Sequence, residues 1–163
     1  MKRIGLLSDT HAHWDARYTK YFSACDEIWH AGDIGSMDII TQLEEICPVR
    51  AVTGNIDGGE LCRCFPKVLR WQCEEADVMM THIGGYPGRY DVRIRQQLML
   101  NPPDLFISGH SHILKVLYDK NLSLLHINPG AAGIQGWQQV RTLIKFTIDG
   151  KEIKELEVIE LAS

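Results

Sequence analysis

Residues 3–11 read RIGLLSDTH, residues 27–33 read EIWHAGD, and residues 49–55 read VRAVTGN. Each is a short apolar or half-apolar run that stops at a cluster of Gly, Asp, Asn or Thr, the pattern of a strand meeting a turn. Residues 14–24 have room for a helix. Ser36 is a helix N-cap, and Ile39, Ile40, Leu43 and Ile46 then recur at helical spacing until Pro48 ends the segment. The order strand–helix–strand–helix–strand predicts parallel pairing through right-handed crossovers.

The remainder is richer in strands. Residues 67–72 and 77–81 read as neighbours joined around Glu74-Glu75. A helix over residues 92–100 stops before Pro102-Pro103, and residues 104–108 form another strand. Asp119-Lys120-Asn121, between residues 113–118 and 122–127, signals a hairpin. Asp149-Gly150, between residues 140–148 and 152–159, signals a second. The expected fold class is α/β: two packed mixed sheets with flanking helices. A length of 163 residues and an apolar share of 45% fit one globular domain, residues 1–163, with no need of a disulfide or structural metal to fold.

The formal net charge of −4 argues against a broad grip on nucleic acid or anionic membrane. The five cysteines are odd in number, and the chain opens on a strand-like run rather than a signal peptide. A reduced, cytoplasmic setting is the expectation. No apolar stretch approaches the length of about 18 residues that spans a bilayer.

The chemistry lies where the strands end. The first strand delivers Asp9 and His11, the second Asp33, and the third Asn55 and Asp57. The strand at 77–81 delivers His82, and that at 104–108 delivers His110 and His112. In open α/β sheets, ligands bind beyond the carboxyl ends of the strands. Neighbouring strands lie about 4.8 Å apart, so side chains from adjacent loops can converge. Each of these residues alone is an ordinary turn or surface residue. Their ordered recurrence at five strand ends is not ordinary. Gly32, Gly54 and Gly109 each precede a candidate ligand.

Asp9-Thr10-His11, Gly32-Asp33, Gly54-Asn55, Thr81-His82 and Gly109-His110-Ser111-His112 together resemble the signature blocks of calcineurin-like metallophosphoesterases. The short chain and the GNxD form resemble the small bacterial and archaeal phosphodiesterase branch, and Asn128-Pro129-Gly130 also looks like a family feature. The resemblance implies a four-layer α/β/β/α sandwich around two divalent metal ions. Manganese is the first expectation, and nickel, iron, zinc or cobalt suit the same donors. By the family pattern Asp9, His11 and His112 hold one ion, Asn55, His82 and His110 hold the other, and Asp33 bridges them. The implied activity is hydrolysis of small phosphodiesters, with monoesters also open, by in-line attack of a metal-bridging hydroxide. Asp33, Asn55, Asp57 and His82 are the expected catalytic residues.

Several positions depart from the family pattern: Ala12 for Gly, Gly84 for a second His, Ile56 for the His of larger phosphatases, and Ala131 for Ser. None removes a proposed ligand, but the proton donor loses its usual candidate. Asp57 has three readings: it orients a ligand, protonates the leaving group, or is simply a turn residue. His13 reads as solvent-facing or outer, and His30 and His126 as structural. Tyr86-Pro87-Gly88-Arg89-Tyr90 is a candidate substrate wall, in which Arg89 reads first as a solvated surface residue and second as a phosphate contact. The expected partner is a small phosphate-ester substrate, with no membrane, no nucleic acid and room for a homo-oligomer. The alternative is a non-catalytic scaffold, as the retromer subunit of this fold is understood to be.

Overall fold

A computed structural model describes residues 1–162. In chain order the elements are β1 (Lys2–Leu7), α1 (Arg17–Phe22), β2 (Glu27–His30), α2 (Met37–Glu44), β3 (Val49–Ala51), α3 (Gly59–Cys64), β4 (Val68–Cys73), β5 (Ala76–Thr81), β6 (Gly85–Tyr86), β7 (Arg89–Tyr90), α4 (Val92–Leu100), β8 (Leu105–Ile107), β9 (Leu114–Asp119), β10 (Leu124–Pro129), β11 (Arg141–Asp149) and β12 (Glu152–Leu161). One five-stranded sheet has the order β12-β11-β1-β2-β3, and the other β4-β5-β8-β10-β9. Both are mixed. In the first, β1, β2 and β3 run parallel, and β11 lies antiparallel to β1. In the second, β5, β8 and β10 are parallel, with antiparallel β4 and β9 outside them.

The layers follow from the apolar pattern. Ile4, Leu6, Ile144 and Phe146 of the first sheet meet Val78, Met80, Leu105 and Ile107 of the second in a central core. Trp29 lies edge-on to Trp71 at 4.8 Å between ring centroids and donates its indole N–H to Glu27 Oε1. Tyr18 and Phe22 of α1 and Ile39, Ile40 and Leu43 of α2 cover the outer face of the first sheet. Ile94 and Leu98 of α4 cover the second, against Met79 and Phe106. This is an α/β/β/α sandwich. Each fully buried side chain of this size contributes about 1.5–3 kcal/mol of transfer free energy, against the ordering entropy of the chain.

The Ser36 hydroxyl caps α2 by accepting from the Asp38 N–H, as its position foretold. The sequence did not indicate α3 or the β6–β7 ribbon. α3 buries Leu61 but exposes most of its other residues, so it carries almost no apolar periodicity. In the first hairpin β10 starts at Leu124, later than expected. The Asp119 carboxylate accepts from the Asn121 and Leu122 N–H groups and extends the turn.

Candidate metal centre

The carboxyl ends of β1, β2 and β3 in one sheet and of β5 and β8 in the other open on a shared rim. The loops after them carry Asp9 and His11, Asp33, Asn55, His82, and His110 and His112. All the candidate ligands are therefore brought to one place. The ligand atoms of Asp9, His11 and His112 lie within 4.8 Å of one another, and so do those of Asp33, His82 and His110. Asn55 Oδ1 is 3.1 Å from His110 Nδ1. The two groups touch. Asp33 Oδ2 lies 3.2 Å from His82 Nε2 and 3.4 Å from His11 Nε2. Asp9 Oδ1 lies 3.2 Å from His112 Nε2 and 3.7 Å from His82 Nε2.

The backbone is held in unusual conformations to do this. Asp9, His11, Asp33, His110 and His112 all have φ between 46° and 70°. Left-handed residues without a glycine's freedom cost energy and cluster at functional sites. Two glycines clear the space. A Cβ on Gly54 would collide with the Asp33 carboxylate and backbone. A Cβ on Gly32, itself at φ 102°, would sit 2.7 Å from His82 Nδ1.

Hydrogen bonds then aim the donors. His82 Nδ1 lies 2.8 Å from the Ala31 carbonyl, an acceptor, so the ring carries a proton there and turns Nε2 toward the carboxylates. Gln138 works the same way. Its Oε1 lies 2.7 Å from His112 Nδ1, and its amide donates to the Gly133 and Gln135 carbonyls. Asp9 Oδ2 accepts from the Ser8 hydroxyl and the His110 N–H, which leaves Oδ1 facing the histidines. Asp9 Oδ1, His11 Nε2 and His82 Nε2 are buried with no hydrogen-bond partner. Carboxylate and imidazole atoms converging in this way suit a cation between them, and a donor set of imidazoles, carboxylates and an amide oxygen fits divalent transition metals.

The charges respond accordingly. Burial alone would push the Asp9 and Asp33 carboxyls up. For Asp9, the close approach of His112 and the charge that a protonated His82 carries outweigh it. For Asp33, the close approach of His82 and the charge it carries when protonated do so, and both carboxyls lie below the usual range. Burial would likewise lower His82, but Asp33 and Asp9 raise it, and Asp9 raises His112. Burial and the neighbouring His82 lower His110.

Asp57 is placed between loops. Its oxygens accept from the Ile34, Gly35 and Gly54 N–H groups at 3.1, 2.9 and 2.8 Å. Of the readings open from the sequence, its bonds support a turn residue that ties the loops together. His30 is buried and structural. It accepts from the Gly32 N–H at Nδ1, and its Nε2 lies 3.0 Å from Thr10 Oγ1, which donates to the Ile34 carbonyl. His126 is buried beside Phe106, and His13 is half-exposed. Asn128 holds the loop of His110 by donating to the Gly109 carbonyl and to Ser111 Oγ. Sequence reasoning missed Ser8 and Gln138. Ser8 was adjacent to a ligand, but nothing in the chain marked Gln138, which reaches His112 from 26 residues away.

Burial pushes His30 and His126 down to about 4. The unfolded chain binds those protons near pH 6.5, so their stability contribution is complete above that pH. It is lost as pH falls from about 6.5 to about 4, by on the order of 1 kcal/mol per unit for each ring. His110, also lowered, adds in the same direction. The raised His82 and His112 contribute fully below about 6.5 and lose their contribution only above it, and the lowered carboxylates act below about 3.8. Urea unfolding in EDTA should therefore weaken steadily from pH 6.5 to 4.5. A flat profile across that interval would mean that the buried rings are not held neutral.

Among the described residues no helix is long and apolar enough to cross a membrane, and the five cysteines are free. Residues 1–151 match the family model of the calcineurin-like phosphoesterase superfamily domain. A probable metallophosphoesterase of Methanothermobacter thermautotrophicus is 31% identical over 171 residues, covering 96% of this chain and 91% of the relative. A probable metallophosphoesterase of Methanocaldococcus jannaschii is 29% identical, covering 96% of this chain and 81% of the relative. Among solved structures, one described as a novel archaeal phosphodiesterase superposes with a TM-score of 0.78 at 22% identity, over 98% of this chain and 99% of that one. Vps29 of Chaetomium thermophilum superposes at 0.76 with 12% identity, over 99% and 97%.

Proposed function

The chain belongs to the calcineurin-like phosphoesterase superfamily, and from that premise we propose that it is a metal-dependent phosphodiesterase acting on small phosphodiesters, with monoesters as secondary substrates. The observation that carries this reading is the convergence of two donor groups whose buried atoms Asp9 Oδ1, His11 Nε2 and His82 Nε2 have no partner within the protein. Asp9, His11 and His112 would hold one ion, Asn55, His82 and His110 a second, with Asp33 facing both. Two divalent ions there would lower the pKa of a water toward neutrality and offset charge on the phosphoryl group. Manganese is our first choice, and nickel, iron, zinc and cobalt suit the same donors.

The residues of the chain do the rest. Ala31 and Gln138 fix the ring orientation of His82 and His112, which keeps the donors pre-aligned. Asp57 ties the loop of Asn55 to that of Asp33. Two cavities flank the cradle and share Ile83 and Arg93. One, of about 260 Å³, reaches Asn55 and His82 and is walled by Val68, Ile83 and Ile94. The other, of about 290 Å³, reaches His110. A diester has two substituents on its phosphorus, and this arrangement offers each a place. We read residues 1–163 as one catalytic domain working in a reducing compartment.

Elemental analysis joined to a diesterase assay tests the reading. Purified protein should carry two metal ions per chain, hydrolyse bis(p-nitrophenyl) phosphate, lose that activity in EDTA and regain it with manganese. Full metal occupancy without turnover on diesters or monoesters would sink the hydrolase and favour the scaffold alternative.

A further inference from the structure

The cavity that reaches His110 gathers more cations than the neighbouring one, whose wall carries Lys67 and Arg93. In a chain of net charge −4, its wall carries Arg89, Arg93 and Lys115 against a single carboxylate, Asp91. That carboxylate is already engaged. It caps α4 by accepting from the Arg93 N–H, and it pairs with the Arg93 guanidinium at 2.9 Å. Among the described residues Arg89 and Lys115 pair with no carboxylate; the Lys115 ammonium sits over the Tyr86 ring, 4.6 Å from its centroid. Two cations are thus left facing the same space.

Their placement is built rather than incidental. Tyr86 and Arg89 lie opposite each other in the β6–β7 ribbon, so both side chains project from one face. Pro87 and Gly88, the latter at φ 89°, fill the central positions of a tight turn that demands such residues. Gly85 accepts a positive φ of 72° where an added Cβ would strike the Arg89 carbonyl. The ribbon holds Arg89 on one side and, through the Tyr86 ring, Lys115 of β9 on the other. A solvated surface cation needs no such support. The cavity is also continuous with the cradle, because His110 and Ser111 line it.

We propose that this cavity is a second anion subsite, which receives a phosphate or equivalent dianion carried on one substituent of the substrate. The inference rests on the phosphodiesterase reading and narrows it. The preferred substrates are phosphodiesters bearing a further phosphate, such as diesters of phosphorylated nucleosides or sugars, rather than neutral dialkyl or diaryl diesters. The scissile phosphate occupies the cradle, the second phosphate lies between Arg89 and Lys115, and the apolar cavity takes the other substituent. Arg89 offers a planar fork of donors to phosphate oxygens, and Lys115 a mobile point charge.

Binding to the metal-loaded protein tests this with a readout other than hydrolysis, on samples checked for released phosphate. Titration calorimetry should find thymidine 3′,5′-bisphosphate binding about tenfold more tightly than thymidine 5′-phosphate at low salt. The Arg89→Gln/Lys115→Gln double variant should bring that ratio to within about twofold. Arg89→Lys, which keeps the charge, should retain part of the preference and serves as a control for folding. Raising the salt should shrink the wild-type ratio. Equal affinities in the wild type, or a preference that survives in the double variant, would overturn the subsite. Either result leaves the diesterase reading to its own assay. A protein that shows the preference but cleaves no ester would keep the subsite and lose the hydrolase.

Discussion

Replacing Asp33 by Asn should cost more than about 100-fold in metal affinity, beyond what loss of an outer-shell partner typically costs, with a fall in diesterase turnover of at least that size. The swap removes a negative charge at nearly constant shape. Asp33 Oδ2 lies within 3.4 Å of His11 in one donor group and His82 in the other, while Oδ1 accepts from the Ile56 N–H. An amide oxygen can keep one of these relations but cannot bring charge to both groups. Asp57→Asn is the informative comparison. Its carboxylate accepts three backbone hydrogen bonds, and an amide places a donor against a donor. That variant should lower the unfolding midpoint and regain most turnover at saturating metal. Metal titration followed by manganese resonance, together with thermal unfolding, separates the two defects. Near-normal turnover of Asp33→Asn at saturating metal would refute the placement of Asp33 between the ions.

Hydrolysis should also depend steeply on the leaving group. Aryl diesters such as bis(p-nitrophenyl) phosphate should outrun simple dialkyl diesters by far more than the 10²–10⁴-fold that a general acid typically supplies. Larger family phosphatases carry a histidine after the Gly-Asn pair, and here the position is Ile56, half-exposed and without a proton to give. Asp57 has its oxygens engaged with backbone amides and is unsuited to the task. Removing it should leave the slope of rate against leaving-group pKa unchanged. His13 is the other nearby titratable side chain, and His13→Ala tests it. The measurement is turnover across diesters of graded leaving-group pKa for the wild type and both variants. A shallow wild-type profile with chemistry rate-limiting would reveal an acid catalyst in the rim. A slope that steepens in one variant would identify that residue as the donor.

Most of the frame was legible in the chain. The runs ending at Asp9, Asp33 and Asn55 are strands because each is a short apolar or half-apolar run stopped by turn residues, and the segment between the second and third shows helical spacing. The candidate ligand set, which the structure brings to one rim, was legible for the same reason. Each candidate follows a strand, and parallel strands deliver their carboxyl ends to one rim. α3 and the β6–β7 ribbon were not legible. Both are short, largely exposed elements held by turns and by contacts with the rest of the molecule, so neither leaves a periodic trace.

What the sequence determined alone is therefore the two mixed sheets with their flanking helices and the chemical identity of the candidate donors, since both depend on local order along the chain. What tertiary structure decided is where each lone pair points and what surrounds it. The left-handed backbone at Asp9, His11, Asp33, His110 and His112 is imposed by the packed loops. The proton positions of His82 and His112 are set by Ala31 and Gln138, partners 51 and 26 residues away. The cations of the second cavity come from β7 and β9, 26 residues apart and joined through the ring of Tyr86. Hydrogen-bond direction and charge proximity act through space over a few ångströms, and no property of the local chain encodes which distant residues will be within that reach.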